Sequence, residues 1–210
     1  MTENVLNFDY LFNQSGLSQM LSKAKTLSKE ECRLLFEYVS RKKPRTILEF
    51  GTQYGCSTKV FLEIAKWLGI PLILHSWDII DVVKEVSKRD FIFHLENVTG
   101  RELPIIEEYQ PDFVFLDGIS FELAKNMMNI CLSKKIDFML HSITRALYER
   151  VRIASNNFTF FDMYVPWESY LLVKLAGLDM LDKDFFENSE FKITCRKELY
   201  GVCIVEMKNH

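Results

Sequence analysis

A chain of 210 residues is long enough to bury one good core, and 48% hydrophobic with 26% charged residues is the composition of a globular protein, not a disordered one. A formal net charge of −3 gives no basic field for following a phosphate backbone, so nucleic acid is not an expected partner. Cys32, Cys56, Cys131, Cys195 and Cys203 are odd in number, widely spaced and without a C-x-x-C pair, which suits reduced, buried thiols in a cytoplasmic protein better than a disulfide framework or a zinc site.

Residues 1–27 read as a polar N-terminal extension around a short helix. Met1 to Gln19 lack the basic start and apolar core of a signal peptide. No apolar run approaches the ~20 residues that cross a bilayer, so no membrane span is expected. Ser28-Lys29-Glu30-Glu31 is a capping box, and Leu34, Leu35, Tyr38 and Val39 follow at helical spacing. That helix is predicted to end by Lys43, because Pro44 disfavours helical geometry in the residue before it. Short apolar runs then predict strands at Thr46–Phe50, Leu72–Trp77, Phe91–Leu95, Asp112–Leu116 and Ile136–Leu140. None alternates cleanly, as expected of strands covered on both faces. Helical stretches at Ser57–Leu68 and Phe121–Leu132 lie between them. Strand-helix alternation of this kind implies an α/β fold, a doubly wound, mostly parallel sheet with helices on both faces. Phe191–Arg196 and Val202–Met207 predict a C-terminal antiparallel hairpin on one sheet edge. No repeat or linker divides the chain, so residues 1–210 are expected to form a single domain, with 158–190 an aromatic-rich insert.

The chemistry gathers at predicted strand ends. The first strand runs into Glu49-Phe50-Gly51-Thr52-Gln53-Tyr54-Gly55-Cys56-Ser57. Small residues let the backbone approach a ligand, and the following helix N-terminus offers free amides to a carboxylate. Glu49 suits the opposite end of an amino acid, a cationic amino group. A dinucleotide site would want G-x-G-x-x-G, whereas these glycines are four apart and follow an acid that a diphosphate would not welcome. The alternative is a merely tight strand-to-helix turn. Asp78 ends the second strand, where an acid can grip ribose hydroxyls; the alternatives are a helix cap, or Asp81 in the same role. Glu96-Asn97 follow the third strand, with Asn97 either meeting an adenine edge or forming a turn. Asp117-Gly118 end the fourth.

Glu49, Gly51, Gly55 and Ser57 resemble the first motif of class I S-adenosylmethionine-dependent methyltransferases, nearest to the small O-methyltransferases related to catechol O-methyltransferase. Asp78, Asn97 and Pro111 to Gly118 fall where that family places its ribose, adenine and fourth-strand motifs. The resemblance implies a Rossmann-like fold, S-adenosyl-L-methionine as cofactor, a small-molecule acceptor methylated on oxygen, and Glu49, Gly51, Thr52, Gln53, Gly55, Ser57, Asp78, Asn97 and Asp117 around the cofactor. Metal-dependent members carry acidic or amide ligands after strand five and a lysine after the fourth-strand acid. Here His141-Ser142 and Ile119-Ser120 stand in those places, so no metal is expected, and His141 becomes the candidate general base. Its alternative is a strand-end histidine bonded to a loop carbonyl. His75 and His94 are read as structural, and His210 is uninformative. Phe158, Phe160, Phe161, Tyr164, Trp167 and Tyr170 are expected to form a partial lid, the alternatives being core packing or a homodimer face. Two rival functions stay open: a non-enzymatic or inactive cofactor-binding relative, and a nucleotide-dependent oxidoreductase.

Overall fold

Apolar runs too uniform for a one-sided sheet become the middle of a two-sided one. The protein is described by a computed structural model covering residues 7–24, 26–141, 184–196 and 201–208, with Leu175 and Glu198 besides. Strands β1 (Thr46–Phe50), β2 (Ile73–Asp78), β3 (Ile92–Leu95), β4 (Phe113–Leu116) and β5 (Asp137–His141) run parallel. Strands β6 (Phe185–Glu187), β7 (Phe191–Arg196) and β8 (Val202–Met207) join through antiparallel pairings, in the order β3-β2-β1-β4-β5-β8-β7-β6.

Helices α1 (Phe8–Gln14), α2 (Leu17–Ala24), α3 (Lys29–Lys42) and α4 (Cys56–Leu68) cover one face, and α5 (Glu102–Tyr109) and α6 (Phe121–Lys134) the other. The strand period of two divides β1 between them. Ile47 packs with Leu35, Val39, Val60 and Ile64, while Leu48 and Phe50 pack with Ile105, Ile106, Leu123 and Met127. Glu49 therefore points to the α4 side. All five cysteines are free and buried, and no helix among the described residues is long and apolar enough to cross a membrane.

The capping box forms as read. Ser28 Oγ accepts from Glu31 N at 3.1 Å, and Glu31 returns to Ser28 N at 2.6 Å. The other Glu31 oxygen accepts from Gly201 N at 2.8 Å, which ties α3 to the turn before β8. At the opposite end of α3, Tyr38 Oη donates to Asp137 at 2.9 Å and Arg41 makes two bonds to Glu206 at 2.7 and 2.8 Å.

Four expectations change. Strand β3 is an edge strand with Ile92 and Leu95 exposed, not covered on both faces. Helix α5 is absent from the sequence reading; Pro104 sits in its first turn, where its missing N–H has no partner to lose. Strand β6 was likewise not anticipated, and the N-terminal extension holds two short helices where one was read.

Candidate functional site

The turn after β1 is fixed by sterics. Gly51 has φ of 95°, and a Cβ there would lie 1.7 Å from the Asp117 carbonyl oxygen, so no side chain fits. Gly51 N and Thr52 N both donate to the Trp77 carbonyl, at 2.9 and 3.3 Å, pinning the turn to β2. Gln53 adopts a left-handed φ of 44° and donates its N–H to Asp78 Oδ2 at 2.7 Å. Gly55, the N-cap of α4, is held to a hydrogen by a close contact of its own. Its Cβ would meet Val86 at 2.8 Å and Val83 at 3.2 Å, both in the segment after β2 and not in β1.

A cavity of about 350 Å³ opens at the carboxyl ends of β1, β2, β3 and β4, a volume within the range of small-molecule sites. Phe50, Trp77, Ile79, Ile80, Val82 and Leu123 give it apolar walls, Asp78 and Glu96 its acids, and Gln53, Asn97, Thr99 and Ser120 its neutral polar groups. Gly51 and Gln53 also line a second, narrow recess with Thr52, Ser57 and Asp117, roofed by Thr26 and Leu27. That recess has about 10 Å³, room for one water. Among the described residues no Lys or Arg lines either space, while three acids do.

Asp78 holds the turn together through Gln53 N and through Ile80 N at 3.0 Å. A carboxylate has about four lone-pair positions, so two remain for a ligand. Asn97 Oδ1 accepts from Thr99 N at 3.0 Å, making the turn that was its alternative reading, while the residue still lines the cavity. Glu96 accepts from Trp77 Nε1 at 3.2 Å and pairs with Arg101 at 2.7 Å. Asp81 pairs with Lys88 and does not line the cavity.

Glu49 is not where a direct ligand contact would put it. It is completely buried and lines neither space. Ser57 donates to its Oε1 at 2.5 Å, and Thr58 and Ser76 to its Oε2 at 2.5 Å each. Burial pushes its pKa up to about 7, against the pull of the three hydroxyls, and the nearby charge of Asp117 adds to the rise. Of its partners only Ser57 faces the recess.

His141 reaches the site, but with both ring nitrogens engaged. Nδ1 lies 2.7 Å from Asp117 Oδ1 and Nε2 lies 3.1 Å from the Thr26 carbonyl. A neutral ring has one donor, and a carbonyl and a carboxylate both only accept. Both nitrogens thus face acceptors, and the contact with Thr26 is the loop-carbonyl bond that was the alternative reading of this histidine. His75 and His94 behave as read. They share a 3.1 Å hydrogen bond, stack with Trp77, and burial lowers the pKa of both.

Sequence reasoning missed Ser76 and Thr58 as partners of Glu49, and Ile79-Ile80 as cavity walls. The first pairing needs the β1–β2 register, which sets Glu49 opposite Ser76. Ser142 and the aromatic run Phe158, Phe160, Phe161, Tyr164, Trp167 and Tyr170, with its lid reading, lie outside the described residues, as does His210.

No protein-family model and no curated protein sequence matches the chain. Solved structures do. The O-methyltransferase from Streptomyces achromogenes involved in tomaymycin synthesis, in complex with S-adenosylmethionine, has a TM-score of 0.60 at 15% identity over 100% of both chains. An O-methyltransferase from Bacillus cereus in complex with S-adenosylhomocysteine (SAH) has 0.58 at 14%, covering 99% of this chain and 94% of its own. An SAH-bound methyltransferase from Podospora anserina has 0.56 at 14%, covering 96% of this chain and 93% of its own. At these identities the likeness is one of fold: the doubly wound sheet with its C-terminal antiparallel hairpin is that of the class I S-adenosylmethionine-dependent methyltransferases.

Proposed function

We propose that the chain is an S-adenosylmethionine-dependent methyltransferase acting on the oxygen of a small-molecule acceptor. One observation carries the reading. The cleft at the switch in strand order is walled by apolar groups and by acids, with no Lys or Arg among its described lining residues. Such a lining attracts a ligand bearing ammonium and sulfonium charges and repels a diphosphate. That opposes the oxidoreductase reading, as does the missing middle glycine of the turn.

The residues fit this cofactor in kind. Asp78 has lone pairs for ribose hydroxyls, Asn97 can meet a base edge, and Asp117 with Glu49 behind it makes the recess favourable for an amino group. An amino-acid-sized group enters that recess only when part of its lining moves. The cofactor supplies an already activated methyl group, so the protein's work is to align the acceptor and exclude water. Gly51 brings the backbone to the ligand, and Phe50, Ile79 and Ile80 keep the cavity apolar. A second reading, a binding protein without turnover, draws support from His141, whose two engaged nitrogens leave the described site without an evident base.

Calorimetric titration with SAH and with NAD separates the classes: SAH binds and NAD does not. Asp78→Ala weakens SAH by about 1.5–3 kcal/mol, roughly ten- to a hundredfold. Wild-type affinity in the folded variant would remove the ribose assignment. Turnover on a panel of hydroxylated acceptors distinguishes the enzyme from the silent binder.

A further inference from the structure

Ser76 lies in the middle of β2, directly opposite Glu49, and is completely buried. Its hydroxyl donates to Glu49 Oε2 at 2.5 Å, and its oxygen lies 2.5 Å from Thr52 Oγ1. Proton arithmetic sets the direction. A serine hydroxyl has one proton, so once it is given to the carboxylate, Ser76 can only accept from Thr52. Thr52 shares its own proton with the Trp77 carbonyl at 3.1 Å. A chain thus runs from Thr52 through Ser76 to Glu49, and Ser57 and Thr58 reach the same carboxylate from α4. Thr52 and Ser57 are walls of the narrow recess, whereas Ser76 lines neither space.

We infer that Ser76 is a positioning residue, which joins the Glu49 carboxylate to the Thr52 wall and holds Glu49 in its acceptor form beneath the ligand. The inference rests on the proposed function in one respect: it takes the recess to receive the ligand's cationic end. Without the Ser76 hydroxyl the buried carboxylate has two donors in place of three and takes up a proton more readily. A protonated Glu49 must itself donate, which reverses one bond of the chain and removes negative charge from behind the recess. The titratable groups bearing on Glu49 are Asp117 beyond β4, whose charge opposes a second one nearby, and Cys56 at the start of α4, a thiol that burial keeps neutral.

The test uses the full chain and two readouts. Infrared difference spectra across pH 6–9 follow the Glu49 carboxyl band, assigned by its loss in Glu49→Gln, and need no ligand. Calorimetry follows SAH over the same range. Ser76→Ala is expected to move the Glu49 midpoint upward by about one pH unit. It should also weaken SAH by roughly three- to tenfold at pH 7, with convergence on wild type at pH 9. Ser76→Thr restores both readouts, and Ser76→Cys, nearly isosteric and a weaker donor, falls between and serves if the alanine variant does not fold. An unmoved Glu49 midpoint overturns the inference, whatever SAH does. So does a loss of SAH affinity that is equal at every pH, since that marks a merely structural site. Wild type that binds no SAH at any pH sinks the proposed function instead, and the infrared arm still decides the role of Ser76.

Discussion

A ring placed between a carboxylate and a carbonyl has two acceptors to satisfy, and this decides how His141 is read. With Asp117 and the Thr26 carbonyl at its two nitrogens, His141 should show two ring N–H signals in nitrogen-detected NMR at neutral pH. His141→Asn should then lower the unfolding free energy by about 1.5–3 kcal/mol, the worth of a charged hydrogen bond. A general base lost from an intact fold would instead lower the rate by about 10²–10⁴-fold and leave stability alone. One ring N–H with unchanged stability would return His141 to the catalytic role. Glu49 makes a second prediction, with a definite sign. Its carboxyl holds a proton up to about 7 in the folded protein against 4.5 in its ordinary state. Its contribution to stability is therefore full below about 4.5 and is lost as pH rises through about 7, a swing of ~3 kcal/mol. Glu49→Gln cannot titrate, so its melting temperature should gain on wild type between pH 4.5 and pH 8; a gap that ignores pH refutes this. The sequence names both residues because strand-end polar groups in a doubly wound sheet share one edge. It cannot tell that Glu49 faces three hydroxyls, because two of them, Ser57 and Thr58, come from α4 and the third comes from register alone.

Elements were legible in proportion to how local their causes are. The capping box of α3 and the hairpin of β7 and β8 are set by neighbours in sequence, and both stand where the pattern puts them. Helix α5 and the exposed edge strand β3 depend on which element covers which, and no pattern within either segment reports that. The same distinction explains what holds α3 down. Tyr38 reads as one of its apolar stripe, yet its hydroxyl is spent on Asp137, at the start of β5, which also accepts from Met207 N at 2.7 Å. Burial beside that acid pushes the Tyr38 pKa far up, so the phenol stays protonated and remains a donor. Tyr38→Phe keeps the ring and removes the donor, leaving that buried carboxylate oxygen with Lys42, at 3.1 Å, as its remaining partner. The expected cost is about 1–3 kcal/mol by chemical denaturation, with SAH affinity untouched because Tyr38 lies at the amino end of the sheet. No loss of stability would mean that Lys42 alone satisfies Asp137.

At the scale of the molecule, the two faces of the sheet have different work. The α5–α6 face packs beneath the wide cavity, and Phe50, Trp77, Val98 and Leu123 belong both to that packing and to the cavity walls. The opposite face carries α1 to α4, and Thr26 and Leu27, which lie between α2 and α3, line the narrow recess as its roof. Leu27 is buried, and the Thr26 carbonyl is tied to His141, so the roof is held by packing and by hydrogen bonding. A recess that admits one water cannot take an amino-acid-sized group as it stands. A ligand whose amino-acid end enters this recess therefore displaces its lining, which includes Thr26 and Leu27, some two dozen positions upstream of the nearest cleft motif. Such a displacement should appear in amide hydrogen exchange. With SAH added, protection should change across 17–31 as well as across 49–57 and 78–99, because closure of the roof over a bound ligand alters the local opening of α2 and of the first turn of α3. Leu27→Ala trims the roof without touching a polar group of the cleft, and should speed SAH association and dissociation together. If exchange changes only at the strand ends, the roof is rigid, and the ligand's amino-acid end lies in the wide cavity instead.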